Sequence, residues 1–338
     1  MKTIKKRLIE LDIATGIAIF LVVIGHFASR NDPNDIYWYV ILKIFIYKFH
    51  MPFFMFLSGS IFYYHYKNTS TIKEYTLFVK KKALRLMPGF IIIGFTIIFG
   101  KYIASYFLYV DNNSTDILKN IFNIFIFPSE SVAGGLWYIY VLFLLFVIFQ
   151  IFNYIFKKNI FSLLLLSLLL HISLYFIEIT NLFMIDKIFE YSIYFNLGYL
   201  YIMYRIKILL FLKKNNILSL IIIFLFILSF NLIYILDEEI SKTIIGFLSI
   251  PSLLYIIIKT KFFKVKKFFL YLSEYTYTIY LLNTILIGIT KGILLKTLSW
   301  GGNDFIIMSP IFLIVGLFGP IFVHTYLIKN KYLSKIMK

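Results

Sequence analysis

The sequence predicts an all-α, polytopic integral membrane protein with about ten transmembrane helices and with its N-terminus and C-terminus in the cytoplasm. The 338 residues are 61% hydrophobic and only 15% charged, and their mean hydropathy is +0.87. Soluble domains of ordinary composition carry about a quarter charged residues. Lipid must therefore solvate most of the surface of this chain. Apolar stretches recur along the sequence, and clusters of Lys and Arg follow every second stretch.

Ten apolar stretches come close to the ~20 residues that a helix needs to cross a bilayer. They cover residues 9–29, 38–64, 86–109, 135–156, 159–178, 188–205, 216–236, 243–259, 268–290 and 305–328. The first stretch contains an acidic residue and a histidine and has no small-residue cleavage site, so we expect a span and not a signal peptide. A shorter stretch, Ile117 to Phe127, is too brief to cross and is predicted to be interfacial or re-entrant. No linker or repeat divides residues 1–338, which we expect to form a single domain.

The distribution of basic residues predicts the orientation in the membrane. If the N-terminus is inside, the basic clusters all fall in cytoplasmic loops or tails, at residues 2–7, 73–85, 157–158, 207–214, 261–267 and 329–338. The intervening loops carry the acidic residues. We therefore expect a multi-pass protein of the inner or plasma membrane. The net charge of +18 does not indicate nucleic-acid binding, because the basic residues punctuate the spans and do not form one patch. The absence of cysteine excludes disulfides and a thiol nucleophile.

Two histidines lie inside predicted spans, where polar groups are costly and are functional candidates by default. Counting ~1.5 Å per residue, His26 lies ~25 Å from the inner face and His50 ~18 Å from the outer face. In upright helices their depths differ by more than about 10 Å in a ~30 Å core, although tilt or a bend at Met51-Pro52 would reduce this. Interhelical hydrogen bonding is the structural alternative for each histidine.

Asp12 opens the first span, fourteen residues before His26. The rise between them is ~21 Å, so an Asp–His dyad in one continuous helix is excluded. We expect Asp12 to pair with a cation at the inner surface, or alternatively to cap the helix.

Lys81, Lys82 and Arg85 lie where a cytoplasmic loop enters the third span. Such a cluster can hold phosphates, or it can simply anchor the topology. Trp137 and Tyr138 lie at the outer interface, where they form either a sugar-stacking surface or part of an aromatic belt.

Three ordered segments, DIATGIAIFLVVIGH, FHMPFFMFLSGSIF and KKKALRLMPGF, resemble membrane acyltransferase family 3, and most closely its branch of fucose 4-O-acetylase-like polysaccharide O-acetyltransferases. GGLWYIYVLF and LSEYTYTIYLLN resemble later segments of that family more loosely. The chain departs from the pattern at Thr15, where the branch usually has Lys or Arg, and at Lys82, where many members place Arg. It departs again at Asn283, where a late His is common.

The resemblance implies transfer of an acyl group, usually acetyl, from cytoplasmic acyl-CoA to a hydroxyl of a cell-surface or lipid-linked glycan. The donor is acetyl-CoA, and no metal and no nucleic acid are expected. His26 is the implied general base, and His50 orients the reactants or binds the oxyanion; a covalent acyl-histidine is the alternative. The implied donor-site residues are Asp12, Lys81, Lys82 and Arg85, and the implied acceptor-site residues are Trp137 and Tyr138.

Two other classes of function stay open at this stage. A transporter or flippase for a glycan intermediate also fits ten spans and a basic inner face. Against it, the polar groups concentrate in the first two spans, and no pair of broken helices recurs in two halves. A non-catalytic assembly factor is the other reading, because of the departures at Thr15 and Asn283.

Overall fold

Over residues 7–28, 31–66, 69–111 and 116–327, which the computed structural model describes, the chain forms twelve α-helices and no β-strand beyond one isolated bridge between Asn34 and Gly301. The predicted all-α class is confirmed. The helices are α1 (Ile9–Gly25), α2 (Tyr37–Tyr64), α3 (Ile72–Ala104), α4 (Ile117–Ile126), α5 (Trp137–Ile155), α6 (Ile160–Ser173), α7 (Ile185–Lys214), α8 (Asn216–Leu228), α9 (Glu238–Lys259), α10 (Phe263–Glu274), α11 (Thr276–Leu294) and α12 (Gly302–Phe322).

Each of the ten predicted spans contains a helix, but the helices differ in how well they match a bilayer. Within the described part of the chain, eight helical segments are long and apolar enough to cross one. The other two, α1 and α6, have 17 and 14 residues, which correspond to about 25 and 21 Å. Helix α4 has ten residues, so the stretch predicted to be too short to cross is indeed short.

The predicted ninth span, 268–290, is not one helix, and this boundary was wrong. The helix breaks at Tyr275, which separates α10 from α11. Helix α10 carries three lysines and is too polar to cross, so the apolar crossing is α11 alone. At the break, Glu274 accepts a hydrogen bond from Arg7 at 3.2 Å, which ties the end of α10 to the start of α1.

Contacts between turns show that successive crossings run in opposite directions. At one end of the bundle the Lys158 ammonium lies 5.2 Å from the Tyr66 ring centre, and Lys259 donates to the carbonyl of Lys213. We call this end, which carries the lysine-rich turns, the basic end. At the opposite or distal end, Lys291 pairs with Asp111 at 2.6 Å.

The two described ends of the chain lie together at the basic end. Helix α1 begins there, where Glu10 pairs with Arg205 of α7. Helix α12 also ends there, because the ring of His324 packs 5.3 Å from that of Tyr275. This arrangement agrees with an even number of crossings.

Glycines allow the closest helix contacts in the bundle, as is typical of membrane proteins. A Cβ atom added at Gly59 of α2 would lie 1.9 Å from the backbone oxygen of Phe195 in α7. One added at Gly16 of α1 would lie 2.0 Å from that of Phe269 in α10. These two crossings pack α2 against α7 and α10 against α1.

Buried polar side chains are spread through the bundle, so their predicted concentration in the first two spans was wrong. Those named below each have a partner on another helix, in a loop or on their own backbone, and such pairing is how intramembrane polar groups are tolerated. Buried polar residues of later helices are Gln150, Asn153, His171, Glu190, Asn283 and Lys291.

Candidate active site

A cavity of about 480 Å³ lies at the distal end of the bundle, between α1, α2, α3 and α11. His26 and Tyr47 line it on one side. The side chains of Lys101, Asp111 and Lys291 line its polar wall. It is thus a site lined by one histidine and three charged side chains.

His26 projects from the end of a helix. Helix α1 ends at Gly25, and His26 is the residue that caps it. The last carbonyl groups of a helix have no partner within it, and two tyrosines of α2 supply partners here. Tyr47 donates to the Gly25 carbonyl at 2.8 Å, and Tyr39 donates to the Ile24 carbonyl at 3.0 Å. The position of His26 is therefore fixed by α2.

The ring of Tyr47 lies between the two histidines. Its centre is 6.4 Å from that of His26 and 5.3 Å from that of His50. His50 is only 6% exposed and hydrogen-bonds through Nδ1 to the Ile46 carbonyl at 2.7 Å. Because a carbonyl only accepts, the proton of this bond belongs to Nδ1, and the lone pair of the neutral ring is on Nε2.

His26 and His50 lie closer to each other in depth than they would if α1 and α2 were upright and both extended to the distal surface. Tyr47 of α2 meets the end of α1, and it lies ten residues after Tyr37, where α2 begins. The end of α1 is therefore about 15 Å deeper in the bundle than the distal end of α2. Helix α1 stops short of the distal surface, so His26 stands beside Tyr47, ten residues into the 28-residue α2. His50 follows Tyr47 by three residues, within one helical turn.

Asp12 has the cationic partner that its position predicts. It pairs with Arg7, which also reaches Glu274. Both lie at the basic end of α1, so the exclusion of an Asp12–His26 dyad holds.

The three predicted donor-site cations of α3, Lys81, Lys82 and Arg85, divide into two kinds. Lys81 and Arg85 are exposed, and neither makes a hydrogen bond or ion pair with any other residue that the structure describes. Lys82 turns inward, and its ammonium lies 3.9 Å from the centre of the Phe146 ring. A cation–π contact of this kind contributes to packing. Of these three side chains, Lys81 and Arg85 thus present their cations to an outside ligand.

The aromatic pair at the start of α5 lies behind the cavity wall. Trp137 stacks on Tyr191, with ring centres 5.3 Å apart. Tyr138 is buried, and its hydroxyl lies 2.6 Å from the hydroxyl of Ser58. Neither ring lines the cavity, although Gly135, two residues before Trp137, does.

Two departures from the family pattern have ordinary structural roles. Thr15 donates to the carbonyl of Leu11 at 2.8 Å, and Asn283 donates to that of Ile279 at 2.7 Å. Both side chains bond to their own helix and add nothing to the cavity wall.

Sequence reasoning missed Tyr47 and the charged wall of the cavity. Lys101 lies inside the predicted third span, and Lys291 follows the ninth by one residue. A lysine within an apolar span is costly and is a functional candidate in its own right, so the position of Lys101 could have indicated this wall. Tyr47 gave no signal, because it is one of 27 tyrosines.

A family model described as an acyltransferase domain matches residues 8–327 of this chain. Neither the curated proteins nor the solved structures give a match. The match spans every helix described above, including α1 with His26 and α3 with Arg85. The chain is therefore a membrane acyltransferase and belongs to the acyltransferase 3 family.

Proposed function

We propose that this acyltransferase moves an acetyl group from cytoplasmic acetyl-CoA to a hydroxyl of a glycan on the outer side of the inner or plasma membrane, as polysaccharide O-acetyltransferases of the fucose 4-O-acetylase-like branch do. The observation that supports this proposal is that two candidate sites lie at opposite ends of one bundle. Unpaired cations lie at the basic end, and a histidine-lined cavity lies at the distal end. The proposal takes the basic end as cytoplasmic, following the positive-inside rule.

The donor phosphates bind at the basic end in this proposal. Arg85 and Lys81 stand one helical turn apart on α3, and both are free to meet an anion. The planar guanidinium of Arg85 suits phosphate oxygens better than an ammonium does. Asp12 and Arg7 border the same end, and Lys82 holds the base of α3 against Phe146.

The thioester must then travel along α3 to the cavity. Fifteen residues, or about 22 Å, separate Arg85 from Gly100, which lines the cavity. An elongated donor therefore has to enter the bundle to deliver its acyl group to His26.

At the cavity, His26 acts as the general base. One ring nitrogen takes the proton from the sugar hydroxyl as its oxygen attacks the thioester carbonyl carbon. The tetrahedral intermediate collapses by breaking the carbon–sulfur bond, and the histidine returns the proton to the departing CoA thiolate. Such a base contributes typically 10²–10⁴-fold.

In this scheme His50 orients the reactants. Its Nδ1 proton is engaged by Ile46, so it cannot offer that proton to an oxyanion. The ammonium groups of Lys101 and Lys291 are the cationic donors of the cavity wall. The alternative is direct attack by His26 to give an acyl-histidine, which the sugar hydroxyl then resolves.

Trp137 and Tyr138 act from behind the wall in this proposal. The hydroxyl of Tyr138 is engaged by Ser58, and one face of Trp137 is covered by Tyr191. They shape the acceptor side of the cavity through Gly135, whose carbonyl accepts from Tyr280 at 2.7 Å.

Mass spectrometry of cell-surface glycans, with and without the gene, tests the reaction. We expect one acetyl mass per repeat to be lost on deletion and restored by the wild-type gene but not by His26→Gln. Transfer of radiolabelled acetyl from acetyl-CoA by the purified protein is the direct assay. Unchanged glycan masses, together with no transfer in vitro, would refute the proposal.

A further inference from the structure

The cavity beside His26 opens sideways between α3 and α11. Thr96 and Gly100 of α3, with Gly288 and Ile289 of α11, both line it and are exposed at the surface of the bundle. A Cβ atom added at Gly100 or Gly288 would meet nothing within 4 Å. The two glycines therefore flank a gap in the bundle wall, which we call the α3–α11 window.

The window has closed edges toward both ends of the bundle. Toward the basic end, Tyr277 donates to the Leu86 carbonyl at 3.0 Å, and a Cβ at Gly89 would lie 2.3 Å from the Tyr277 hydroxyl. Toward the distal end, a Cβ at Gly292 would lie 3.3 Å from the Leu108 side chain. Helices α3 and α11 thus touch on the basic side of the gap, and the loop after α3 meets α11 on the distal side.

The gap lies at the same distance from the closed edge along both helices. Eleven residues separate Gly89 from Gly100, and eleven separate Tyr277 from Gly288. Because α3 and α11 run in the same direction, both glycines lie about 16 Å beyond the closed edge. That distance places the window inside two helices apolar enough to cross the bilayer.

The distal, water-facing side of the cavity is covered by hydrogen-bonded loops. Trp300 donates from its indole nitrogen to the Asn31 carbonyl at 3.0 Å. Asn31 donates in turn to the Tyr109 hydroxyl at 2.9 Å, and the Asn34 amide donates to the Trp300 carbonyl. These bonds join the loops after α1, α3 and α11. Among the described residues, the wall is thus open toward lipid and covered toward water.

The polar wall of the cavity carries more cations than anions. Lys291 pairs with Asp111 and lies 3.5 Å from the Trp300 ring centre. Lys101 donates to the backbone carbonyls of Asp111 and Val132. The two lysines face one carboxylate, so an anionic group in the cavity gains a favourable interaction. An apolar window leading to a cationic wall suits an amphipathic anion.

We infer that the acceptor is a lipid-linked glycan, in which a phosphate joins the sugar to a long hydrocarbon chain, and that it enters from the bilayer through the α3–α11 window. The hydrocarbon of the acceptor lies in the window, its phosphate faces Lys101 and Lys291, and a hydroxyl of its sugar reaches His26. This inference rests on the proposed acetyl transfer to a glycan. Hydrocarbon moving from lipid into the window exchanges one apolar surrounding for another, so its entry costs little.

The test blocks the window after folding. The chain contains no cysteine, so Gly288→Cys gives one labelling site at the window. Ile293→Cys is the matched control, because Ile293 is on the same helix, is 55% exposed and does not line the cavity. Each purified variant is assayed in nanodiscs before and after reaction with a bulky maleimide. Two acceptors carry the same sugar: a polyprenyl-phosphate-linked glycan and a short water-soluble glycoside.

We expect the label on Gly288→Cys to lower kcat/KM for the lipid-linked acceptor at least tenfold. We expect it to lower kcat/KM for the soluble glycoside less than twofold, because a small glycoside can enter by displacing the loops at the distal end. The label on Ile293→Cys should change neither value more than twofold. The inference is overturned if the label spares the lipid-linked acceptor or lowers both acceptors equally. It is also overturned if the loss with the soluble glycoside grows with the acyl length of the donor, because the window then holds the acyl chain.

A binding measurement separates this inference from the proposed reaction. A diazirine-bearing polyprenyl-phosphate glycan is photo-crosslinked to the protein in nanodiscs, and the modified peptides are found by mass spectrometry. We expect crosslinks on α3 and α11 that disappear when Gly288→Cys is labelled. Crosslinks without any acetyl transfer would refute the proposed function but support entry through the window. Transfer to a lipid-linked acceptor without crosslinks on α3 and α11 would refute entry through the window alone.

Discussion

Tyr47 donates its hydroxyl proton to the Gly25 carbonyl across 2.8 Å, which fastens α2 to the last turn of α1 directly before His26. The bond gives a partner to a helix-end carbonyl that would otherwise lack one. It also keeps the Tyr47 ring between His26 and His50. The placement of the proposed base therefore depends on a neighbouring helix.

Tyr47→Phe tests this dependence. The substitution keeps the ring and removes one hydrogen bond, whose net contribution is about 0.5–1.5 kcal/mol. We expect kcat to fall roughly 3- to 10-fold, with little change in the KM for acetyl-CoA. Tyr140→Phe is the control, because it removes a similar bond, to the Phe125 carbonyl, outside the cavity. Equal losses in the two variants would show that Tyr47 only stabilises the fold.

His26→Gln tests the base itself. An amide can replace a hydrogen bond but cannot take the proton, so we expect acetyl transfer to fall by about 10²–10⁴-fold, as in His26→Ala, while insertion and acetyl-CoA binding persist. His171→Gln is the matched control, since His171 is buried and bonds to the Glu190 carbonyl and to Thr243. It should lower the unfolding temperature while folded enzyme keeps its turnover. Substantial activity in His26→Gln would make His26 a structural hydrogen bonder.

We expect substitutions of Arg85 and Lys82 to affect different measurements, the KM for acetyl-CoA and the unfolding temperature. Arg85→Ala is expected to raise the KM for acetyl-CoA several-fold and to leave the KM for the acceptor nearly unchanged, because Arg85 is exposed and unpaired among the described residues. Lys82→Ala is expected to raise the donor KM less and to lower the unfolding temperature, because it removes the contact with Phe146. An unchanged donor KM in correctly inserted Arg85→Ala would show that the cluster only anchors the topology.

Composition and hydropathy predicted the fold well because the bilayer imposes length and polarity on every crossing. The positions of α2, α5 and α9 follow directly from those constraints. The break at Tyr275 escaped prediction, since apolar residues continue on both sides of it and only tertiary contacts such as Glu274–Arg7 fix the interruption. Helix α1 also ends earlier than hydropathy indicates, because α2 provides partners for its last carbonyls.

The candidate site was predicted only in part. His26 stood out as a polar residue in an apolar stretch, and the structure places it on the cavity. The charged wall did not stand out, because Lys101 and Lys291 are far apart in sequence and resemble the many other lysines. The window could not be predicted at all, since Gly100 and Gly288 matter through the equal spacing of two helices that meet only in three dimensions.

The alternation of the ten crossings predicts the sidedness of every turn. Reporter fusions at residues 70, 158, 212 and 263 should read cytoplasmic, and fusions at 33, 183 and 238 should read external. A fusion at 113, which lies outside the described residues, is also expected to read external. The measurement is the activity of a paired cytoplasmic and external reporter at each site. A single reversed pair of neighbouring turns would contradict the count of ten.

The pair between Lys291 and Asp111 joins α11 to the end of α3, and both partners are largely buried. Removing one partner of a buried pair takes away the main compensation of the other charge, which costs up to about 3–5 kcal/mol. We expect Lys291→Met to lower the free energy of unfolding by roughly 3 kcal/mol, near the lower end of that range, because the Asp111 side chain keeps 13% exposure. Asp111→Asn should also destabilise the protein.

The double variant Lys291→Met/Asp111→Asn distinguishes stability from substrate binding. Because neither charge is then left alone, its loss of unfolding free energy in mixed micelles should be clearly smaller than the sum of the two single losses. Its KM for a lipid-linked acceptor should nevertheless stay raised, since the cation that faces the phosphate is missing. Additive losses would show that the two side chains do not interact, and a normal acceptor KM in the double variant would limit Lys291 to a structural role.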